Sequence, residues 1–105
     1  MIRKVSYSFL KRQHACRGAR MTFKRLFGDE ANVSLANARR ASGLFLRHPA
    51  WISGNVLNGN YNFDAFVFNQ KIKLDAGTTT MAKAREAIAR EFVRLAREPN
   101  ARLSS

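Results

Sequence analysis

The sequence predicts a small α+β domain: a helix, a three-stranded antiparallel sheet and a C-terminal helix, preceded by a basic N-terminal extension. Its 105 residues, 46% of them apolar, are enough for one modest core and too few for two. Apolar residues recur at helical spacing in two segments. Between those segments apolar and polar residues alternate around Asn58-Gly59, which is a strong hairpin signal.

The first 28 residues contain eight Lys or Arg and no Asp or Glu, so they carry +8 of the net charge of +12. As a basic arm, this segment would lie along phosphates while its aromatic residues pack on the domain or stack on bases. As a structural extension, it would add an edge strand through Val5, Tyr7 and Phe9. As an Arg-rich organelle transit peptide, it would be removed, and Met21 offers an alternative start. We place the end of the arm at residue 28.

A compact domain is predicted from residue 29 to residue 98, beginning with a helix from about Ser34 to Leu46. Ser34 is a good N-cap, and acids just before it suit the positive end of the helix dipole. His48-Pro49 ends the helix, because the residue before a proline avoids the α region.

Three strands are predicted after this helix, and they span residues 51–57, 61–68 and 71–74. Asn58-Gly59 joins the first two, and Asn69-Gln70 joins the last two. Phe66 and Phe68 would share one face of the second strand, and Lys71 and Lys73 one face of the third. Asp64 would pair with one of these lysines across the hairpin.

The last helix is expected to begin at a cap on Thr78 or Thr79 and to stop at Pro99. Its predicted buried stripe consists of Met81, Ala84, Ile88, Phe92 and Leu95. Residues 99–105 are expected to form a loose tail.

Enzyme chemistry is not expected, because the chain contains no nucleotide-binding, hydrolase or metalloprotease motif. Cys16, His14 and His48 are too few for a zinc site, so no metal or other cofactor is predicted. The sequence contains no apolar run long enough to span a bilayer. The lone cysteine favours an intracellular, cytoplasmic location, with organelle import as the alternative.

The charge excess predicts a polyanionic partner, and DNA or RNA is the commonest one. The predicted nucleic-acid-binding residues are the cations of the first 28 residues, two strand aromatics and three further lysines: Arg3, Lys4, Lys11, Arg12, Arg17, Arg20, Lys24, Arg25, Phe66, Phe68, Lys71, Lys73 and Lys83. In the alternative interpretation the two rings belong to the core, the strand lysines protect a sheet edge, and the basic stripe of the last helix is a solvated surface.

Three other functions stay open. The chain could be a protein-interaction module, of the phage or mobile-element accessory or inhibitor type, that docks on an acidic protein surface. It could be a structural component of a ribonucleoprotein particle. An exposed aromatic face could also serve a homodimer.

The predicted order over residues 33–96, with MAKAREAIA opening the last helix, resembles the topology of a double-stranded-RNA-binding domain. Thr78, Thr79 and Thr80 stand where that family has a lysine pair, and Asn58-Gly59 replaces its Gly-Pro-x-His loop. Since both differences fall on phosphate-contacting positions, the resemblance does not imply binding of duplex RNA. A three-stranded sheet followed by a helix is also similar to small DNA-binding modules at the ends of integrases.

Overall fold

The computed structural model describes residues 1–104 and contains, within them, seven α-helices, one π-helical segment and a two-stranded antiparallel sheet. The elements are β1 (Lys4–Ser6), α1 (Tyr7–Arg12), α2 (Arg17–Phe27), β2 (Glu30–Asn32), α3 (Leu35–Arg40), α4 (Ser42–Arg47), α5 (Pro49–Trp51), the π segment (Ile52–Val56), α6 (Asn62–Asp75) and α7 (Met81–Ala96). The strands pair with Val5 opposite Ala31. All these elements together form a single small domain of mixed helix and sheet, with a Cα radius of gyration of 13.0 Å.

Three phenylalanine rings from α4, α6 and α7 meet at the centre of the core. The ring of Phe45 stacks on that of Phe92, with 4.5 Å between centroids. Phe63, which is fully buried, packs edge-on against both, at 5.4 and 5.7 Å. Such aromatic pairs add about 0.5–1.5 kcal/mol each to the stabilisation from burial alone. This cluster fixes α6 and α7 against the α3–α4 pair.

The basic N-terminal segment contributes to the same core. Ile2, Val5, Phe9 and Leu10 are all buried. Val5 lies on the short strand β1, whereas Phe9 lies in α1, so the strand ends before it. The backbone N–H of Ile2 donates to the carbonyl of Ala96 at 2.7 Å, which ties the start of the chain to the end of α7.

The prediction of a three-stranded sheet is wrong. Residues 51–57 lie in and around α5 and the π segment, and the two further predicted strands form the single helix α6. Phe63, Val67 and Gln70 face the core at helical spacing. Without the predicted strands, the resemblance to double-stranded-RNA-binding and integrase modules does not hold.

Asn58-Gly59 does form a tight turn, with φ of 52° and 86°, but it leads into a helix instead of a second strand. Asn69-Gln70, predicted as a turn, lies inside α6. The local chemistry of Asn-Gly therefore specified the turn and left the conformation of the flanking segments to packing.

The helices predicted at the two ends of the domain are present, with small differences at their ends, but Met81, predicted in the buried stripe of the last helix, is 52% exposed. Ser34 caps α3, since its Oγ accepts from the Asn37 N–H at 3.1 Å, and a break at Ala41 divides the first predicted helix into α3 and α4. His48-Pro49 ends α4. The cap of α7 is Thr80, one or two residues after the predicted caps, and its Oγ1 accepts from the Lys83 N–H at 3.2 Å.

The last described residues return to the domain. Ser104 donates from Oγ to the carbonyl of Gly54 at 3.0 Å and from its backbone N–H to the carbonyl of Asn55 at 3.2 Å. Leu103 packs against the core. No helix among residues 1–104 combines the length and the apolar character needed to cross a membrane.

Candidate nucleic-acid interface

Helices α1 and α2 form a helical hairpin, residues 7–27, that carries six of the predicted binding residues. Ser6 caps α1, with its Oγ accepting from the Phe9 N–H at 3.0 Å. The turn between the helices contains His14 in the left-handed region, at φ 59°, and the buried Ala15, whose N–H donates to Leu10 O at 3.0 Å. This turn reverses the chain within four residues and lays α2 beside α1.

The outer surface of the hairpin is basic. On α2, Phe23 is buried and anchors the inner face, while the exposed residues recur at helical spacing on the opposite face. We define the basic face as the exposed cations of the hairpin: Lys11, Arg12, Arg17, Lys24 and Arg25. From Arg17 to Arg25 this face extends about 12 Å along α2 at 1.5 Å per residue. Neither helix contains an acid.

The basic stripe along α7 and its C-cap, formed by Lys83, Arg90, Arg94 and Arg97, in contrast contains glutamates that pair with Arg90 and Arg94. Glu86 accepts a two-pronged contact from Arg39, Nε to Oε1 at 2.7 Å and Nη2 to Oε2 at 2.9 Å, and a further bond from Arg90 at 2.8 Å. The hydrogen bond from Arg39 lowers the pKa of the Glu86 carboxyl, against a smaller opposing effect of desolvation. Arg94 bonds Glu91 and lies 3.6 Å from Glu98.

Most of the basic face lacks such compensation. Within residues 1–104, Lys11, Arg12, Arg17 and Arg25 make no ion pair. Lys24 lies 3.7 Å from the exposed Asp29, which is a long contact between solvated groups and is worth at most about 1 kcal/mol. A phosphate can therefore contact these cations without first breaking a strong internal pair.

The other predicted cations of the N-terminal segment differ in availability. Arg3 is exposed just before β1, and Lys4 pairs with Glu30 across the two-stranded sheet at 3.2 Å. Arg20 is partly buried, and its Nε is buried without a hydrogen-bond partner in the described part of the chain. Arg3 thus extends the set of accessible cations, whereas Arg20 is the least accessible of them.

The predicted sheet surface of aromatics and lysines is not present, because its residues lie on a helix. Two residues along a helix correspond to about 200° of rotation, so neighbours that share a strand face are separated. Phe66 packs against the core, whereas Phe68 is 62% exposed. Lys71 is partly buried and Lys73 is exposed. Lys83 is also exposed, in the first turn of α7.

Arg40, to which no sequence pattern assigns a role, holds α2 in place. Its guanidinium donates to the carbonyl of Leu26 in the last turn of α2 and lies over the Phe27 ring, 5.0 Å from the centroid. A cation near the C-terminus of a helix also interacts favourably with the helix dipole. No local pattern indicates this contact, because Arg40 and Leu26 belong to different helices.

An apolar cavity of about 90 Å³ separates the inner face of the hairpin from α3, α4 and α5. Phe23 lines it from α2, and Ala38, Leu44 and Trp51 line it from the other side. Around this cavity, Phe9, Leu10 and Phe23 of the hairpin are buried in the common core, and Arg40 adds a contact at the end of α2.

These features define a class, a small and mainly helical basic domain with an exposed cationic hairpin. Comparison of the chain with models of protein families, with curated proteins and with solved structures finds no match. Residues 1–104 contain no group of three or more His, Cys, Asp or Glu placed to hold a metal ion.

Proposed function

We propose that this chain is a small, non-enzymatic, cytoplasmic nucleic-acid-binding protein that contacts phosphates through the basic face of the α1–α2 hairpin. The uneven distribution of compensated charge is the observation that supports it. Arg90 and Arg94 on the exposed surface of α7 have glutamate partners, and Arg39 of α3 shares Glu86, whereas four of the five cations of the basic face have none among residues 1–104. A surface that served only solubility would have no need to keep the acids away from one hairpin.

The interaction we propose is electrostatic and weakly dependent on base sequence. The five cations of the basic face and Arg3 offer six positive charges that can replace condensed counterions on the phosphates. Contacts of this kind position a protein on the polymer without reading its bases.

A protein partner is the second candidate, and one observation favours it. Met21 lies among the cations on the outer face of α2 and is 42% exposed. Methionine is common at adaptable protein-binding surfaces, and a basic helix with an apolar centre suits an acidic protein groove. In that case the chain would bind one acidic partner with 1:1 stoichiometry and would bind random oligonucleotides weakly.

The test is a salt series with labelled single-stranded RNA, duplex RNA and duplex DNA. The full chain is compared with a hairpin variant in which Lys11, Arg12, Arg17 and Arg25 are replaced by Gln. A control variant loses the same charge elsewhere, at four exposed cations that make no ion pair within residues 1–104: Arg47, Lys73, Lys83 and Arg102. Circular dichroism checks that both variants keep the fold.

For the full chain on duplex DNA we expect log K to fall with log salt at a slope of roughly −5, for about six phosphates. Each contact removed in the hairpin variant should make the slope shallower by about 0.9, so this variant should retain a slope near −2. The control variant should keep most of the original slope. Equal losses in the two variants would assign binding to diffuse charge instead of the hairpin. A flat salt dependence of the full chain would reject the proposal.

A further inference from the structure

Helix α6 carries a second apolar stripe that faces solvent. Tyr61 at its N-cap, Ala65, Phe68 and Ile72 follow one another at intervals of four, three and four residues, so they lie along one side of the helix. The exposed fractions of the three large side chains are 56%, 62% and 49%. A helix that is apolar on opposite sides is typical of a helix covered on both. We call these four residues the outer stripe.

Two opposite charges border the outer stripe. Asp64 and Lys71 are seven residues apart, so they lie within about 20° of each other around the helix and about 10 Å apart along it. They cannot pair with each other within α6, because only residues three or four apart are neighbours. Neither makes an ion pair in the described part of the chain, although the chain has nineteen Lys and Arg. The predicted pairing across a hairpin is therefore replaced by two unpaired charges on one helix edge.

This arrangement is complementary to itself. If two α6 helices lie side by side and antiparallel, a two-fold axis near Phe68 brings Asp64 of each copy opposite Lys71 of the other. The two Phe68 rings then meet at the axis, and the small Ala65 faces the larger Ile72. We propose that the chain forms a symmetric homodimer through the outer stripe, with two intermolecular Asp64–Lys71 pairs.

The size and charge of the surface indicate a weak, reversible dimer. An aromatic side chain buries about 150–250 Å² when fully covered, so the outer stripe offers a few hundred Å² per copy. A standard interface buries about 800 Å² per partner. Each copy also carries +12, and this repulsion opposes association until salt or a bound polyanion screens it. A second copy is nevertheless the favoured occupant, because Asp64 and Lys71 border the outer stripe in the order that an antiparallel second copy requires.

The test uses sedimentation velocity of the full chain over a concentration series at moderate salt, together with charge variants. Asp64→Lys and Lys71→Asp each place like charges opposite one another in the homodimer, so each should weaken self-association by about tenfold or more. An equimolar mixture of the two variants restores both opposite-charge contacts, and should form heterodimers about as tight as the wild-type dimer. Lys73→Asp makes the same change in charge as Lys71→Asp, but on another side of α6. It should leave the dimer dissociation constant within about twofold of the wild-type value.

Rescue by the mixture separates an interface from a loss of folding, because an unfolded variant cannot restore its partner. A wild-type chain that stays monomeric throughout the series would overturn the proposal and leave the stripe to a different partner. A mixture no more associated than either variant alone would overturn the antiparallel arrangement. Nucleic-acid binding is measured separately, so dimerisation can fail while the proposed function stands.

Discussion

At the scale of single residues, two glycines near the ends of α2 have opposite roles. Gly28 ends α2 with φ 75° and ψ −131°, a conformation that residues with a Cβ rarely adopt, and it lets the chain turn back into β2. Gly18 lies in the first turn of α2, and a Cβ added there meets nothing within 4 Å. Gly28 is therefore required by its backbone conformation, whereas Gly18 only weakens the helix.

Gly28→Ala is expected to lower the free energy of unfolding by about 1–3 kcal/mol, because the added Cβ strains the turn even though the surrounding space is open. Gly18→Ala should raise it by up to about 1 kcal/mol, because alanine is the better helix former. Urea denaturation of the two variants measures both values. If Gly28→Ala were neutral, the turn after α2 would have to relax into another conformation at little cost.

At the scale of elements, Glu86 joins α3 to α7 through its two-pronged contact with Arg39. The hydrogen bond from Arg39 lowers the pKa of Glu86 in the folded chain, and the bond from Arg90 contributes in the same direction. A carboxyl with a lowered folded pKa stabilises the fold fully above its unfolded pKa, about 4.3. The contribution disappears as the pH falls through the folded value.

Glu86→Gln should therefore be less stable than wild type at neutral pH, and the difference should shrink as the pH is lowered from about 4.3 into the acid range. Stability is measured by urea denaturation at a series of pH values. Asp75→Asn is a matched control, since Asp75 makes no ion pair within residues 1–104. A difference between Glu86→Gln and wild type that stayed constant down to the lowest pH would show that charge is not its cause.

At the scale of the whole molecule, the first residues contact the end of α7 and Pro99, and the basic segment is part of the core. The amino group of Met1 donates to the carbonyl of Pro99 at 3.1 Å, next to the bond between Ile2 and Ala96. Phe9 and Leu10 are buried in the same core. The segment that supplies the basic charge thus also supports the fold through its buried apolar residues, so charge is better removed by substitution than by truncation.

A chain that starts at Met21 should fail to fold cooperatively. It loses Ile2, Phe9 and Leu10, each worth about 1.5–3 kcal/mol of burial, and small domains have only about 5–15 kcal/mol of total stability. Thermal unfolding followed by circular dichroism measures the effect. A sharp transition close to that of the full chain would show that the first twenty residues are dispensable for folding.

Composition and short-range pattern alone predict a single small domain, the concentration of positive charge in the first 28 residues, a helix that begins after Ser34 and a helix that ends before Pro99. These properties depend on composition or on residues close together in the chain, such as caps and prolines. The conformation of residues 61–74 was decided by tertiary structure. Apolar residues on both sides of α6 fit strand alternation and helical spacing alike, and only packing of Phe63 against Phe45 and Phe92 selects the helix. Tertiary structure also decides which cations are free to contact a phosphate. Arg39, for example, is paired because α3 packs on α7 and brings it to Glu86.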